Sequence, residues 1–249
     1  MRLSTDPEEN RDMNVSAVLC VLRAYTTLPS LGVLCSSSSD FVETLSRCLD
    51  QGSTTVAADA LEVIFNIAHS LHLSQSSTIV RSLNALVDPP ACPPPALLCS
   101  AFRAVSNLSQ LPSNGDFLSS SLSDSFPSLA VTHLLKHTSP SEDSAWASGE
   151  PSPHPTRDAA VNLILAFSRS CHSLKKRIAG LDSVVGACVA VACCSQLKGP
   201  IKGAAARALR AMIVNDSPEF THSVLARESE IATCCLDAQI GGGGGEGVA

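Results

Sequence analysis

The residues of this chain that are best suited to chemistry are its cysteines and histidines, but their spacing does not favour catalysis or metal binding. Four of the cysteines form two adjacent pairs, at 193–194 and 234–235, whereas structural zinc sites usually have two to four residues between paired cysteines. His69 and His72 are expected one turn apart on one helix, without an evident third ligand. The sequence also lacks the Gly-Lys-Ser/Thr, Gly-x-Ser-x-Gly and His-Glu-x-x-His patterns. We therefore expect no enzyme, no metal and no cofactor.

The chain contains 11 cysteines, most of which we expect to be free thiols in an intracellular protein. Disulfide-rich proteins are typically short and secreted, whereas this chain has 249 residues and begins without the apolar core of a secretory signal. Its longest apolar run, from Val184 to Cys194, has 11 residues, and a membrane-spanning helix needs about 20. We predict a soluble protein without a membrane span, in the cytoplasm, with an organelle as the alternative. Four cysteines fall in apolar helical patterns and are expected to be buried: Cys20, Cys48, Cys99 and Cys188.

Positive charge is concentrated between Arg157 and Arg210, where nine bases outnumber two acids, although the whole chain has a net charge of -6. Such a region favours an acidic partner or a phosphate backbone, while a solvated surface is the simpler alternative. Its one aromatic residue is Phe167, so stacking of nucleic acid bases has little support. The candidate basic patch consists of Lys175, Lys176, Arg177, Lys198 and Lys202.

The composition is unusually poor in charge for a protein that stands alone in water. Charged residues make up 16% of the chain, against roughly 25% in average soluble domains, and the mean hydropathy is +0.20. A surface of this kind suggests that another protein covers part of it, as in a subunit of a larger assembly. A composition that is simply rich in serine and alanine is the alternative.

Apolar residues recur at three- and four-residue steps along most of the chain, which predicts amphipathic helices. Asn14 is the expected N-cap of the first helix. Gly52 is expected to end the helix over residues 41–50. Prolines between residues 89 and 95 form a stiff connector, since proline lacks the amide donor that a helix needs. The main helices are predicted over residues 14–28, 41–50, 54–72, 76–87, 96–111, 156–172, 182–195, 201–214 and 218–238, with one or two more between 116 and 137.

These helices are expected to form one helical repeat domain over residues 14–238. Residues 1–13 are expected to be a flexible N-terminus, and residues 239–249 a flexible glycine-rich tail. Residues 138–156 are rich in proline, serine and acids, so a disordered or loop insertion within one repeat is predicted there.

One motif recurs along the chain, with the pattern small-x-x-small-aliphatic-x-Asn-aliphatic. Its clearest copies are Ala60-x-x-Val63-Ile64-x-Asn66-Ile67 and Ala101-x-x-Ala104-Val105-x-Asn107-Leu108. Weaker copies are Ala17-x-x-Cys20-Val21-x-Arg23-Ala24, Ala160-x-x-Leu163-Ile164-x-Ala166-Phe167 and Ala205-x-x-Ala208-Leu209-x-Ala211-Met212. The Asn position recurs at intervals of 43, 41, 59 and 45 residues. Because helical periods of about 40–47 residues are typical of armadillo and HEAT arrays, we predict an all-α solenoid of about five irregular repeats, with an unrelated helical bundle as the alternative.

The motif resembles the third helix of the armadillo repeat, which typically reads Ala-x-x-Ala-Leu-x-Asn-Leu. This resemblance implies a right-handed armadillo-like α-solenoid whose third helices line a concave groove, where the Asn side chain binds the backbone of an extended peptide. Nuclear-import adaptors of the family place Trp one turn before the Asn, and this sequence has no Trp there, which argues against recognition of basic import signals. The partner-binding residues implied are Glu62, Asn66, Arg103, Asn107, Asn162, Arg207 and Arg210.

The function expected from these observations is a non-catalytic protein-protein interaction scaffold, a structural subunit of a larger stable complex. It would bind its partners through the concave face and the ends of the solenoid. One alternative is a regulatory adaptor of an enzyme or chaperone, for which armadillo-like nucleotide-exchange factors of Hsp70 chaperones are a precedent. The other is an RNA-associated subunit that uses the basic region 157–210.

Overall fold

The computed structural model describes residues 7–88, 90–91, 93–136, 155–194, 197 and 200–213. Within these residues the backbone forms twelve α-helices and one short 3-10 helix, without any strand, which confirms the all-α fold class. No helix in the described ranges combines the length and the apolarity that crossing a bilayer requires. The chain divides into two compact units, one ending at Phe126 and the other beginning at Pro127.

The helices follow one another with short connections. The first part of the chain contains α1 (Pro7–Thr26), α2 (Pro29–Ser36), α3 (Ser39–Gln51), α4 (Thr54–Ile67), the 3-10 helix (Leu73–Gln75), α5 (Ser77–Val87), α6 (Pro95–Leu108), α7 (Pro112–Ser121) and α8 (Ser125–Lys136). The second part contains α9 (Pro155–Arg169), α10 (His172–Ala179), α11 (Asp182–Cys193) and α12 (Pro200–Ile213). All five copies of the motif lie on helices, namely α1, α4, α6, α9 and α12, which we call the motif helices.

The order of elements repeats along the chain. A first element (α2, the 3-10 helix, α7 or α10) precedes a second helix (α3, α5, α8 or α11), and a motif helix follows (α4, α6, α9 or α12). Within the first unit, α4 packs against the motif helices α1 and α6, and α3 packs against α5. Within the second unit, α9 packs against α12. Within each unit, consecutive motif helices therefore pack against one another, and so do the second helices α3 and α5 of the first unit.

Local sequence signals explain where several helices begin and end. Ser38 and Ser53 precede α3 and α4, and their hydroxyls accept hydrogen bonds from backbone amides three residues later. Prolines occupy the first turns of α2, α6 and α7, where an amide donor is not needed. Gly52 follows α3 as expected, and the reason is a close approach, because a Cβ there would lie 2.4 Å from the carbonyl oxygen of Cys48.

The motif is the buried face of these helices. Its small and aliphatic positions are almost inaccessible in four of the five copies: Ala60, Val63, Ile64 and Ile67; Ala101, Ala104, Val105 and Leu108; Ala160, Leu163, Ile164 and Phe167; Ala205, Ala208, Leu209 and Met212. Alanine at these positions lets neighbouring helix backbones approach closely, and the branched residues fill the remaining space. The first copy differs, since Ala17, Cys20, Val21 and Ala24 of α1 are all exposed.

Asn114, in the first turn of α7, connects the ends of two motif helices. Its side chain is fully buried, and its Nδ2 donates to the carbonyl oxygens of Leu71 at 2.8 Å and Leu108 at 3.1 Å. Its Oδ1 accepts from the amide of Leu73 at 2.9 Å. One side chain thus satisfies three backbone groups in the chain segments that follow α4 and α6, which favours a single arrangement of these segments.

Several sequence-based expectations need correction. The first helix begins at Pro7 rather than at Asn14, so residues 7–13 are helical, and a proline followed by two glutamates suits a helix N-terminus. The helix predicted over 54–72 ends at Ile67, so His69 and His72 do not share a helix. The helix predicted over 218–238, the glycine-rich tail and nearly all of the 138–156 insertion lie outside the described residues.

The cysteines are less uniformly buried than their apolar surroundings in the sequence predicted. Cys188 is fully buried, whereas Cys48 and Cys99 are half-buried and Cys20 is exposed on α1. Cys193 is disulfide-bonded rather than free. The sequence did not predict this bond, because spacing along the chain does not reveal which thiols meet in space. Burial raises the pKa of Cys188 to about 12, and it also raises the pKa of Cys48, where the neighbouring Arg47 partly offsets the effect.

We predict that Asn114→Ala will lower the free energy of unfolding by about 3 kcal/mol, because three hydrogen bonds are lost and buried backbone groups are left without partners. Urea denaturation followed by circular dichroism measures this change. Ser113→Ala is the matched control, since Ser113 is exposed in the same turn and its one hydrogen bond to a described residue is to the exposed ring of His72. A loss below about 1 kcal/mol for Asn114→Ala would contradict the structural role of this amide.

We also predict a specific alkaline destabilisation. The thiol of Cys188 stays protonated in the folded protein up to about pH 12, whereas in the unfolded chain it ionises near its ordinary pKa of 9.0. Its contribution to stability is therefore complete below pH 9 and is lost as the pH rises towards 12, by about 1.4 kcal/mol per pH unit. The free energy of unfolding of Cys188→Ala, measured between pH 8 and pH 11, should fall less steeply than that of the wild type. Parallel curves would show that the buried thiol does not titrate in this way.

Candidate functional site

The face formed by α4 and α6 carries four of the predicted partner-binding residues. Glu62 and Arg103 form an ion pair of 2.7 Å between helices, and the hydroxyl of Ser100 donates to the same carboxylate oxygen at 3.3 Å. The guanidinium carbon of Arg103 lies 4.6 Å from the ring centroid of Phe65. Arg103 is 44% exposed, so this cluster is a partly solvated surface feature with a planar cation held over an aromatic ring.

The two asparagines of the motif use their amide donors within the protein. The Nδ2 of Asn66 donates to the carbonyl oxygen of Arg23 at 2.9 Å and to the hydroxyl of Thr26 at 3.3 Å. The Nδ2 of Asn107 donates to the carbonyl oxygen of Phe65 at 3.3 Å. Each asparagine therefore reaches the preceding motif helix, and the separations of 43 and 42 residues agree with the repeat interval.

The location of these bonds explains why an amide suits this position. Arg23 and Phe65 lie in the last turns of α1 and α4, where carbonyl oxygens generally lack a backbone donor within the helix. The hydroxyl of Thr26 also donates to the carbonyl oxygen of Arg23, at 3.2 Å. An asparagine on the next motif helix satisfies one of them. Asn66 uses its Nδ2 in two hydrogen bonds and Asn107 uses its Nδ2 in one. A peptide bound to this face would therefore meet the second N–H of Asn107 and the Oδ1 atoms of both residues, for which no hydrogen bond is present among the described residues.

A second cluster lies in the unit that begins at Pro127. A cavity of about 420 Å³ opens where the last turns of α9 and α12 meet α10. Its lining consists of Ser168, Arg169, Ser170, Lys175, Arg207, Arg210 and Ala211. The cavity thus brings together four cationic side chains, and among the described residues none of its lining is acidic.

The structure divides the basic patch that the sequence predicted. Lys175 is buried, at 7% exposure, and its Nζ points to the carbonyl oxygen of Ala211 at a distance of 3.5 Å. Lys176 is exposed, and Arg177 and Lys202 are half-buried, but none of the three lines the cavity. Lys198 lies outside the described residues.

Of the other predicted partner-binding residues in this unit, Arg207 and Arg210 are exposed and line the cavity. Asn162 is exposed on α9 but does not contribute to the lining. Sequence reasoning missed Arg169 as a site residue, although it belongs to the same basic region. A basic residue in the last turn of a motif helix, as at Arg169 and Arg210, is the signal that could have identified it.

The described residues offer no obvious metal site, because no group of three or more His, Cys, Asp or Glu side chains lies close enough to hold an ion. His69 and His72 instead contact the chain itself. The Nδ1 of His69 lies 2.9 Å from the carbonyl oxygen of Asn66, and the Nδ1 of His72 lies 3.1 Å from the hydroxyl of Ser113.

Comparison with known proteins adds no family to this description, since no family model and no curated protein matches the sequence.

We predict that Asn66→Ala will lower the free energy of unfolding by about 1 kcal/mol, because the last-turn carbonyl of Arg23 loses its partner on α4. Thermal or urea unfolding measures the change. Asn14→Ala is the control, since Asn14 is exposed on α1, and it should alter stability by less than about 0.5 kcal/mol. Equal stability of Asn66→Ala and the wild type would mean that this amide contributes nothing to helix stacking.

Proposed function

We propose that this protein is a non-catalytic interaction scaffold with a right-handed armadillo-like α-solenoid of about five irregular repeats, and that it is a structural subunit of a larger stable complex. The repeating order of three elements supports the architecture, as do the contacts between consecutive motif helices. Hydrogen bonds at separations of 41 to 43 residues support the same register.

The observation that carries the proposal is the exposed apolar stripe of α1. Val18, Val21 and Tyr25 are spaced by three and four residues, so they lie on one side of the helix. They are 59%, 55% and 57% exposed. The residues that occupy the same repeat positions in the next two copies are almost inaccessible: Leu61 and Ile64 on α4 with Ala68 just after it, and Phe102 and Val105 on α6 with Ser109 just after it.

The difference follows from the number of neighbours. Helix α4 packs against α1, α2, α3 and α6, whereas the main neighbours of α1 are α2 and α4. The stripe of α1 thus has apolar side chains at positions that are buried in the next two copies, but here these side chains are exposed. Burying one such side chain contributes about 1.5–3 kcal/mol, so covering three of them is a substantial driving force for association.

More apolar side chains continue this surface beyond the stripe. Leu28 lies just after α1, and Val33 and Leu34 on α2 are 53% and 66% exposed. A partner that presents apolar helices, in the manner of a neighbouring repeat, matches this surface better than a polar peptide does. The stripe together with Leu28, Val33 and Leu34 is called the apolar end below.

The RNA-associated alternative has weaker support. Phe167, the one aromatic residue of the basic region, is 1% exposed and offers no stacking surface. A transient adaptor differs from a constitutive subunit in stoichiometry and in salt resistance, since contacts that bury apolar surface are only weakly screened by salt.

The test is co-purification of the tagged chain from its native cells, compared with that of the double variant Val21→Lys/Leu34→Lys. We expect the wild type to retain a partner at a fixed ratio through about 1 M salt, because apolar burial is insensitive to screening. The variant should lose this partner, since two charges would have to be buried with it.

The control is Gln110→Lys, which adds one positive charge at another exposed position of the same unit. All three variant positions are exposed, so circular dichroism and the melting temperature should stay close to those of the wild type. A wild-type chain that purifies alone, as a stable monomer, would refute the proposal. Partner retention by the double variant would refute the role of the apolar end.

A further inference from the structure

We infer that the cavity between the ends of α9 and α12 is a binding site for a phosphate monoester, presented as a phosphorylated serine or threonine side chain of a partner protein. The inference rests on the proposed protein-binding function only for the source of the phosphate. The site itself is argued from the four cations that line the cavity.

The cations converge from three separate helices. Arg169 comes from the last turn of α9, Lys175 from α10, and Arg207 and Arg210 from α12. No carboxylate among the described residues forms an ion pair with Arg169, Arg207 or Arg210, and all three are exposed. The positive charges of these three arginines repel one another, so an anion that enters the cavity relieves this repulsion.

The charge of the site favours a phosphate over a carboxylate. The C-terminal ends of α9 and α12 contribute roughly half a negative charge each, so the three arginines alone leave roughly two positive charges in the cavity. A phosphate monoester carries a charge of about −1.5 to −2 near neutral pH, whereas a carboxylate carries one negative charge. Phosphate oxygens also suit the planar fork of an arginine, and the cavity contains three arginines.

The structure favours a phosphorylated protein over a nucleic acid. The basic residues Lys176, Arg177 and Lys202 do not line the cavity, so the charge converges on one small volume rather than following an extended strand. The buried Phe167 gives no surface for a base. A volume of about 420 Å³ is within the range of pockets that enclose small groups.

The test is fluorescence anisotropy with the full chain and a labelled peptide that has one phosphoserine between alanine and glycine residues. Two comparison ligands are measured in the same way: the same peptide with unmodified serine, and a single-stranded oligouridine of equal charge. Inorganic phosphate is added as a competitor. We expect the phosphorylated peptide to bind at least about tenfold more tightly than the unphosphorylated one, and inorganic phosphate to displace it.

Arg210→Gln and Arg207→Gln should each weaken phosphopeptide binding by about tenfold. Arg210→Lys keeps the charge but not the fork, so it should give a smaller loss. The matched control is Lys202→Gln, which removes the same charge from the same helix outside the cavity and should change binding by less than about twofold.

Equal binding of the two peptides would overturn the inference, and so would an equal loss in Lys202→Gln and Arg210→Gln, which would indicate general attraction by charge. Tighter binding of oligouridine than of the phosphopeptide would replace it with a nucleic acid site. Val21→Lys/Leu34→Lys should bind the phosphopeptide normally. Failure at this cavity with intact co-purification would therefore leave the scaffold proposal standing.

Discussion

The close contact between α4 and its neighbours α1 and α6 is the interaction on which the first unit depends. Helices can approach in this way only where small residues face the neighbouring backbone, and Ala60, Ala101 and Ala104 supply them without any exposed surface. Branched residues such as Ile64 and Val105 fill the space beside them. The same arrangement recurs in the second unit, where Ala160 on α9 and other motif residues on α12 are buried. This explains how a chain with only 4% aromatic residues forms a core within each unit.

Stacked helices leave backbone carbonyl groups at their ends without helical hydrogen-bond partners, and asparagine side chains donate to several of them. Asn66 and Asn107 satisfy last-turn carbonyl groups of the preceding motif helix, and Asn114 satisfies three backbone groups between the motif helices α4 and α6. In the armadillo family, which the motif resembles, this asparagine binds a ligand. Here its donor group holds neighbouring helices in register. The two uses compete for the same NH₂ group, so the face around α4 and α6 presents fewer free donors than its sequence suggests.

Two other surfaces have more groups available for binding, and they differ in the interaction that would stabilise a complex. The apolar end on α1 and α2 gains free energy from area removed from water, which depends little on salt. The cavity at the ends of α9 and α12 gains it from charge, which is screened at moderate ionic strength and is specific for anions. Under the two proposals, one chain holds one partner constitutively and another conditionally, in response to phosphorylation.

The sequence by itself determined most of the longer helices and the buried face of four of the five motif copies, because both follow from local periodicity and from helix-ending residues such as Gly52. The predicted helices did not include α2 or α10, and the motif face of α1 is exposed. Exposure was decided by the tertiary structure: Val21 and Ile64 occupy the same motif position, yet one is open and the other buried, because only α4 is enclosed by four helices. The basic region shows the same limit, since Lys175 turns inwards to a backbone carbonyl and Lys202 stays outside the cavity. Their surroundings come from residues tens of positions away in the chain, and a local pattern does not encode them.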